Sequence, residues 1–391
     1  MDPQILTQML TDKNTFIFSK LKYKYGESNF NEYLELLSDF FYRKIPLETF
    51  FGNKFVYSPA QVQIVSQSVK PLMRHYSGGK YGINSMEDEI VSTLLIEKID
   101  TKRESVREIL NGKAPRSLNE EKAYGIKKGL DFISDTSHRI TAENLSKLYQ
   151  ITINDFLEPD VKLPPGMMYR NDVVYVVNAS GKSVHTGSDF EKLPAYIDSL
   201  FRFIEDDCDE IDQVLKSAMI HYYFAYLHPY FDGNGRMARL LQLWYLVQKG
   251  YTAALFLPFS LFVNQNRNGY YKAFKQISEN QAAAGIFDIT PFLYFFTQNV
   301  FSQFENYNAG EDLFAKFKSV LETGQITEKE KELFSFVLSN YGTDEFSTKD
   351  LEKDFRNVAY ATVRTFVLKF EEKGLLKAQK YGARVKYSIK N

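Results

Sequence analysis

Residues 228–239 hold the densest group of reactive side chains in this 391-residue chain. The stretch reads HPYFDGNGRMAR and contains an imidazole, a carboxylate, an amide, glycines and two guanidinium groups. Glycines cost backbone entropy, and an Asp-Gly-Asn-Gly run breaks a helix or a strand. We therefore predict a loop here, with side chains that suit a phosphorylated ligand.

Two helices are predicted to flank this loop. Apolar residues recur at three- and four-residue steps over 211–226, which predicts an amphipathic helix that ends near His228, because Pro229 disfavours helical geometry in the residue before it. A second, strongly apolar helix is predicted from about Gly235 to Gly250. The turn at 232–235 then lies at a helix N-terminus, where unbonded N–H groups and the helix dipole attract an anion.

The side chains of the loop favour a polyphosphate as that anion. Arg236 and Arg239 are three residues apart and share a helix face, so a polyphosphate can use both guanidinium groups. Asp232 would repel the phosphates unless a divalent cation such as Mg²⁺ lay between them. A neutral His228 at the rim could take a proton from a hydroxyl. The backbone of the predicted anion hole belongs to Gly233, Asn234 and Gly235, with the Asn234 amide as an added donor.

A solvated surface turn is the alternative interpretation. It explains the glycines, but it explains neither the His-Pro pair before the turn nor two arginines on one helix face.

The run closely resembles the signature of the Fic (filamentation induced by cAMP) family, H-P-F-x-[D/E]-G-N-G-R-x-x-R. Only Tyr230 departs from it, in place of Phe. The preceding residues 221–228 are similar to the family's lead-in, H-x-x-F-x-x-I-H. The resemblance covers roughly residues 85–300 and implies a mostly α fold, a Fic helical core with a small β-hairpin flap.

The resemblance implies transfer of AMP from ATP to a Ser, Thr or Tyr hydroxyl of a protein, the chain itself included. It makes His228 the general base and Asp232 the residue that holds Mg²⁺ (or Mn²⁺). Arg236 and Arg239 would grip the β- and γ-phosphates. Some relatives that phosphorylate carry Lys where this chain has Gly235, which favours nucleotidyl transfer. The residues implied on the adenosine side are Asn268, Tyr270 and Tyr271.

A flap is implied upstream of the loop. Tyr169 and Arg170, the strand-like residues 173–177 and the turn 178–181 would supply its first half. The second half resembles the family's V-H-T segment, and a helix is predicted to begin near Asp189. The flap would align a target by adding a strand to it. Its docking residues are Val184, His185, Thr186 and Gly187.

An inhibitory helix near 86–99 is implied by a second motif. Thr93 and Glu97 match the family pattern [S/T]-x-x-x-E-[G/N], but Lys98 occupies the sixth position. As in the family's class II, the helix precedes the core. Glu97 is expected to pair with Arg239 and so to deny that arginine to the γ-phosphate.

The chain divides into four predicted parts. Residues 1–80 form a helical N-terminal region, with amphipathic segments at 16–25 and 31–42 and a helix at 58–73. The Fic core spans 81–305 and a linker spans 306–326. Residues 327–391 resemble a winged helix-turn-helix domain, with helices at 328–339, 348–355 and 358–373 and strands at 375–379 and 384–389.

DNA is a predicted partner of the C-terminal part. Residues 356–391 hold nine Lys or Arg against two acidic residues, a net charge of +7. Tyr360, Thr362 and Arg364 could enter a major groove, while residues 380–386 contact phosphates. Docking or dimerisation is the alternative, with the basic residues on a solvated face.

Composition sets outer limits on the function. Hydrophobic residues make up 44% and charged residues 25%, which is typical of globular proteins. Cys208 is the single cysteine, which excludes an intramolecular disulfide and a cysteine-rich metal site. No apolar run approaches the roughly 20 residues of a membrane span, and the N-terminus does not resemble a signal peptide, so a cytoplasmic location without membrane contact is expected.

Several functions and partners stay open on the sequence. Besides adenylyl transfer to a protein, they are hydrolysis of AMP from a modified protein, transfer of another nucleotide or of phosphocholine, and a nucleotide-sensing DNA-binding regulator. A second copy of the chain is left open as a partner. His75 and His138 are expected at the surface, and His221 is expected to pack against the loop.

Overall fold

The computed structural model is mostly helical, as predicted, and describes residues 1–62, 83–177, 183–304, 326–341, 345–355, 358–382 and 384–390. The helices are α1 Pro3–Leu10, α2 Phe18–Tyr25, α3 Glu27–Leu36, α4 Ile83–Ile96, α5 Arg103–Leu110, α6 Leu118–Ser134, α7 Ala142–Thr152, α8 Leu193–Glu205, α9 Gln213–Leu227, α10 Asn234–Gln248, α11 Phe259–Gln265, α12 Arg267–Ala284, α13 Thr290–Phe296, α14 Glu328–Asn340, α15 Thr348–Phe355 and α16 Tyr360–Glu372. The strands are β1 Arg43–Glu48, β2 Lys54–Tyr57, β3 Tyr175–Val177, β4 Ser183–Thr186, β5 Leu376–Tyr381 and β6 Arg384–Ile389. They form the antiparallel pairs β1–β2, β3–β4 and β5–β6.

Some predicted features lie outside the described residues. They are the flap turn 178–181, most of the helix at 58–73, His75, Arg356 and the linker up to residue 325. None of the described helices is both long and apolar enough to cross a bilayer.

The helix pair α9 and α10 lies at the centre of the molecule, joined by the loop 228–233. Both helices are buried along almost their whole length. This burial was predicted for α10, but α9 was expected to be amphipathic, and that expectation is wrong. Even its charged Lys216 is buried, where Nζ lies 2.5 Å from an Asp209 carboxylate oxygen. A paired charge can be buried at tolerable cost, so the helix needs no exposed face.

The N-terminal region is not purely helical. Helices α1–α3 form a small core of their own, which is tied to α12 where the Asn280 amide bonds the backbone of Phe16 and Phe18. The β1–β2 hairpin that follows was not predicted, although Ile45 and Leu47 alternate with exposed residues in the period of a strand. Because the hairpin shares the main hydrophobic core, it packs as part of that core.

Residues 326–390 enclose a second hydrophobic core. The predicted order of three helices and a hairpin is present, with helix and strand ends within two residues of the predicted positions. The strands β5 and β6 pair without a register shift from Leu376 opposite Ile389 to Tyr381 opposite Arg384. The first helix of this unit, α14, also contacts α4.

Candidate active site

The loop between α9 and α10 depends on two residues with positive φ. His228 ends α9 in the left-handed conformation, with φ 55° and ψ 58°, and Gly233 precedes α10 with φ 83°. A Cβ on Gly233 would lie 2.5 Å from an Ile153 side-chain carbon, so both the conformation and the space require glycine. The predicted loop between two buried helices is therefore present.

Asn234 braces this loop from within. Its Oδ1 accepts the Tyr230 N–H at 2.9 Å, and its Nδ2 donates to the Tyr230 carbonyl at 2.8 Å. The side chain is thus used inside the loop, whereas the sequence suggested that it would serve as an extra anion donor. Its backbone N–H, in the first turn of α10, is among those that lack an acceptor within the helix.

The aromatic ring of Tyr230 fills the place of the family's Phe. It stacks on Tyr149 with 3.5 Å between ring centroids, and the Tyr149 hydroxyl donates to the Asp232 carbonyl at 3.2 Å. The Tyr230 hydroxyl is buried and has no hydrogen-bond partner among the described residues. Within the described part of the chain, the extra oxygen therefore adds a desolvation cost without a hydrogen bond to offset it.

One ring nitrogen of His228 lies against the backbone of α9. Its Nδ1 lies 3.3 Å from the carbonyl oxygen of Ala225, a contact in which Nδ1 must carry the proton. The lone pair of the neutral ring is then at Nε2, where it can accept a proton from a hydroxyl.

The two arginines of α10 are buried yet incompletely bonded. Arg236 donates from Nη2 to Asp232 Oδ2 at 3.0 Å. Among the described residues, Arg236 Nε and Arg239 Nη1 are buried without a hydrogen-bond partner. Buried donors are rarely left unpaired, and charged ones cost most, so these two N–H groups fit phosphate oxygens as missing partners.

Asp232 is the residue of this site that fits a metal ion. Its carboxylate is half exposed and accepts the Gly233 N–H at 2.6 Å. No group of three or more His, Cys, Asp or Glu side chains suited to a metal occurs in the part of the chain that the structure describes. A magnesium ion here would take its other ligands from phosphates and water, as Mg²⁺ commonly does.

Glu97 and Thr93 both form hydrogen bonds with Arg239, which lies 142 and 146 residues later in the sequence. Glu97 Oε1 accepts from Arg239 Nη2 at 2.7 Å, and Thr93 Oγ1 accepts from Arg239 Nε at 2.8 Å. A Cβ on Gly235 would lie only 2.4 Å from Glu97 Oε1. The carboxylate therefore lies against the start of α10, beside the predicted anion site.

Lys98 lies at the end of α4, which stops at Ile96 and not at the predicted residue 99. Lys98 has φ 59°, its N–H donates to the Leu95 carbonyl, and the Ile99 N–H donates to the Leu94 carbonyl. These two bonds form a Schellman motif, whose left-handed residue is usually Gly or Asn. Lys98 therefore differs from the Gly or Asn of the family pattern mainly in how readily its backbone adopts this left-handed conformation.

Replacing Lys98 with glycine should raise the free energy of unfolding by about 1 kcal/mol. A left-handed conformation costs a non-glycine residue about 1–2 kcal/mol, and the greater entropy of glycine in the unfolded chain offsets part of this gain. Urea denaturation measures the change. Lys98→Ala is the matched control, since alanine keeps the strain; an equal gain with alanine would contradict the explanation.

Contacts that were not predicted hold α4 at its middle and near its C-terminal end. The buried carboxylate of Glu89, four residues before Thr93, accepts the N–H and the hydroxyl of Ser260, and burial raises its pKa. Near the C-terminal end, Arg267 donates to the Leu95 carbonyl at 2.8 Å and Tyr271 donates to the Ile96 carbonyl at 3.2 Å. The four-residue spacing of Glu89, Thr93 and Glu97 was the signal available in the sequence.

The residues expected on the adenosine side are only partly accessible from a cleft. A cleft of about 500 Å³ lies between Leu95 and residues 264–269, and Asn268 lines it. Tyr270 instead points into the core, where its hydroxyl lies 2.9 Å from His221 Nε2. Helical periodicity turns it away from the side that Asn268 occupies.

His221, which was expected to pack against the loop, is buried in the core between Gln242 and Tyr270. Its Nδ1 lies 2.7 Å from Gln242 Oε1, and burial lowers its pKa to about 3. The ring is therefore neutral at physiological pH and links Gln242 and Tyr270 by hydrogen bonds. His138, expected at the surface, is partly buried and stacks on Phe132.

The flap hairpin is present, with Tyr175 opposite Thr186 and Val176 opposite His185. Its first strand begins at Tyr175, two residues later than predicted. Val184 and His185 contribute their backbone to β4, and Gly187 follows it, donating its N–H to the Val174 carbonyl at 3.1 Å.

Residues 139–246 match the family model described as the Fic/DOC family. This stretch of the chain is therefore similar to a Fic domain. Over 186 residues it is 30% identical to "Protein adenylyltransferase Fic" of Nematostella vectensis, covering 46% of this chain and 37% of that protein. Over 167 residues it is 31% identical to the protein of that name from Drosophila willistoni, covering 40% of this chain and 29% of that one. The chain thus spans well under half the length of these curated relatives.

A solved structure is similar in fold to this chain, both within the matched residues and around them. The Caenorhabditis elegans protein Fic-1, residues 134–508 of its own chain, superposes with a TM-score of 0.50 at 18% identity and covers 78% of this chain and 83% of that one. The likeness extends well beyond residues 139–246 and agrees with the helical architecture described above.

Proposed function

We propose that this chain is a protein adenylyltransferase, which moves AMP from ATP to a Ser, Thr or Tyr hydroxyl of a protein. The observation that carries the proposal is the pair of buried arginines of α10, each with an N–H that has no hydrogen-bond partner among the described residues. The same segment holds His228, whose Nδ1 lies 3.3 Å from the Ala225 carbonyl oxygen. The names of the curated relatives in Nematostella and Drosophila point to the same reaction.

The target hydroxyl oxygen bonds to the α-phosphorus of ATP, the bond from that phosphorus to the bridging oxygen breaks, and pyrophosphate leaves. The hydroxyl proton goes to His228 Nε2. Arg236 and Arg239 offset the charge of the departing phosphates, which is where most of the catalytic effect in phosphoryl-type transfer arises. Asp232 would hold Mg²⁺ (or Mn²⁺), which neutralises phosphate charge when bound.

The flap supports a protein as the acceptor. Strand β4 pairs with β3 on one side only among the described strands, so its other edge can pair with a target backbone. Main-chain pairing would align the target with little dependence on its sequence.

Labelled ATP tests this reaction. Incubation of the Glu97→Gly variant with a lysate and ATP labelled at the α-phosphorus should label protein, whereas ATP labelled at the γ-phosphorus should not. Label from the γ position would show phosphorylation instead. More label from CTP, GTP or UTP than from ATP would show that another nucleotide is the donor. Removal of AMP from a premodified protein, without any labelling, would favour the hydrolytic alternative.

Autoinhibition by α4 is part of the proposal. The Glu97 carboxylate holds Arg239 and lies against Gly235, where a phosphate would approach the first turn of α10. An anion at that place would have to displace the carboxylate, because two negative charges so close together repel.

DNA binding is a second proposal, for the C-terminal unit. The exposed residues of α16 include Tyr360 and Arg364, and the exposed residues of the β5–β6 hairpin include Lys380, Arg384 and Lys386. A duplex bound by these cations should dissociate steeply as salt rises, with a slope of about 0.9 per phosphate contacted. Gel shifts over a salt series, with Lys380→Ala as the test variant, measure this salt dependence. Weak binding that is independent of salt would contradict DNA binding by these residues.

A further inference from the structure

Arg170, which was predicted only as part of the flap hairpin, is a buried cation. Its residue is 2% exposed, and the hydrogen bonds that its guanidinium donates among the described residues go to main-chain carbonyls. Nη1 donates to the Asp172 carbonyl at 2.6 Å, Nη2 to that of Ser188, and Nε to that of His228 at 2.8 Å.

These acceptors belong to three separate places. Asp172 precedes β3 and Ser188 follows β4, so two of the bonds close the base of the flap. The third reaches His228, whose left-handed backbone is unfavourable for a non-glycine residue and is stabilised by this bond.

Main-chain bonds reinforce the same junction. The Arg170 N–H donates to the Pro229 carbonyl at 3.0 Å, and the Ser188 N–H donates to the Leu227 carbonyl at 3.2 Å. Gly187 is small because of Arg170: a Cβ there would lie 2.7 Å from Nη2. The flap and the end of α9 are thus held as one unit by a planar fork with five donors, which an ammonium group cannot reproduce.

We propose that Arg170 is a positioning residue, which fixes the distance between a target strand on the flap and Nε2 of His228. This inference rests on the proposed function. Arg170 touches neither ATP nor the target in this assignment, and it acts through the backbone of His228 and of the flap. Displacement of a reacting group by about 1 Å costs on the order of 100-fold in rate, so loosening this junction should affect turnover strongly.

Arg170→Lys, compared in the Glu97→Gly background, tests the inference by a split between kinetic constants. The turnover number for protein acceptor should fall about 10- to 100-fold, while the KM for ATP stays within about twofold, because the phosphate-binding arginines are unchanged. Arg202→Lys, an exposed arginine on α8 bonded to Ser199, is the matched control and should change neither constant. Unchanged turnover with Arg170→Lys, or an equal loss with Arg202→Lys, overturns the proposal.

Hydrogen exchange supplies a readout that does not depend on transfer. In Arg170→Lys the amides of Gly187 and Ser188 and that of His228 should exchange faster together, whereas faster exchange in the flap alone overturns the coupling. If the background variant labels nothing, the proposed function fails, and the exchange result still decides the role of Arg170. Gly187→Ala, which presses on Nη2 without removing the cation, should give the same pattern if the lysine variant does not fold.

Discussion

Replacement of His228 with alanine should reduce the rate of AMP transfer about 10²- to 10⁴-fold, the usual contribution of a general base. The loss is expected because the target hydroxyl would keep its proton as it approaches the α-phosphorus. The Asn234 brace of the loop and the two arginines do not depend on the imidazole. ATP should therefore still bind to the variant.

The measurement is the initial rate of label incorporation from α-labelled ATP, with Glu97→Gly as the common background. His138→Ala, which removes a ring that stacks on Phe132 far from the loop in sequence, is the control and should transfer at the parental rate. Calorimetric titration checks that His228→Ala still binds ATP. A variant that transfers within about threefold of the parent would remove His228 from the role of base.

Glu97→Gly should have the second large effect, a rise in transfer of about 10- to 100-fold, the range of typical coupling energies between sites. The change frees Arg239 from its 2.7 Å carboxylate partner and removes a negative charge from beside Gly235. Arg239 keeps its bonds to Thr93, so the guanidinium stays in place for a phosphate.

Two comparisons isolate this effect. Glu104→Gly removes an exposed acid from the first turn of α5 and should leave transfer unchanged. Adding Arg239→Ala to Glu97→Gly should cancel the gain, because the released group is then absent, and the non-additivity measures the coupling of the pair. Equal transfer by Glu97→Gly and its parent, with both folded, would contradict inhibition by this residue.

The central loop was predictable because its signals are local. The Asp-Gly-Asn-Gly run, the proline after His228 and the two apolar periodicities place a turn between helices, and the structure has α9 end at Leu227 and α10 begin at Asn234. The C-terminal helices and strands were predictable for the same reason. Periodicity and turn residues report the conformation of neighbouring residues, and they do so without any long-range contact.

Other features were not predictable because they depend on packing between distant segments. The strands of the β1–β2 hairpin have only six and four residues. Their alternation of buried and exposed residues is therefore a weaker signal than the longer periodicity of the neighbouring helices. Tyr270 sits beside Asn268 in sequence, yet the fold turns one into the core and leaves the other on the cleft. The Asn234 amide suits an anion by its chemistry, but the compactness of the loop uses it on Tyr230.

The sequence by itself determined the chemistry of residues 228–239 and the helices that carry them, since both follow from residue types and spacing along one stretch of chain. Only the tertiary structure decided how that chemistry is held. It pairs the Glu97 carboxylate with Arg239, 142 residues away in sequence. It also directs the Arg170 guanidinium to carbonyls of the flap and to that of His228, 58 residues away. Such contacts form where buried polar groups must find partners, and a linear pattern does not state which partner is nearest in space.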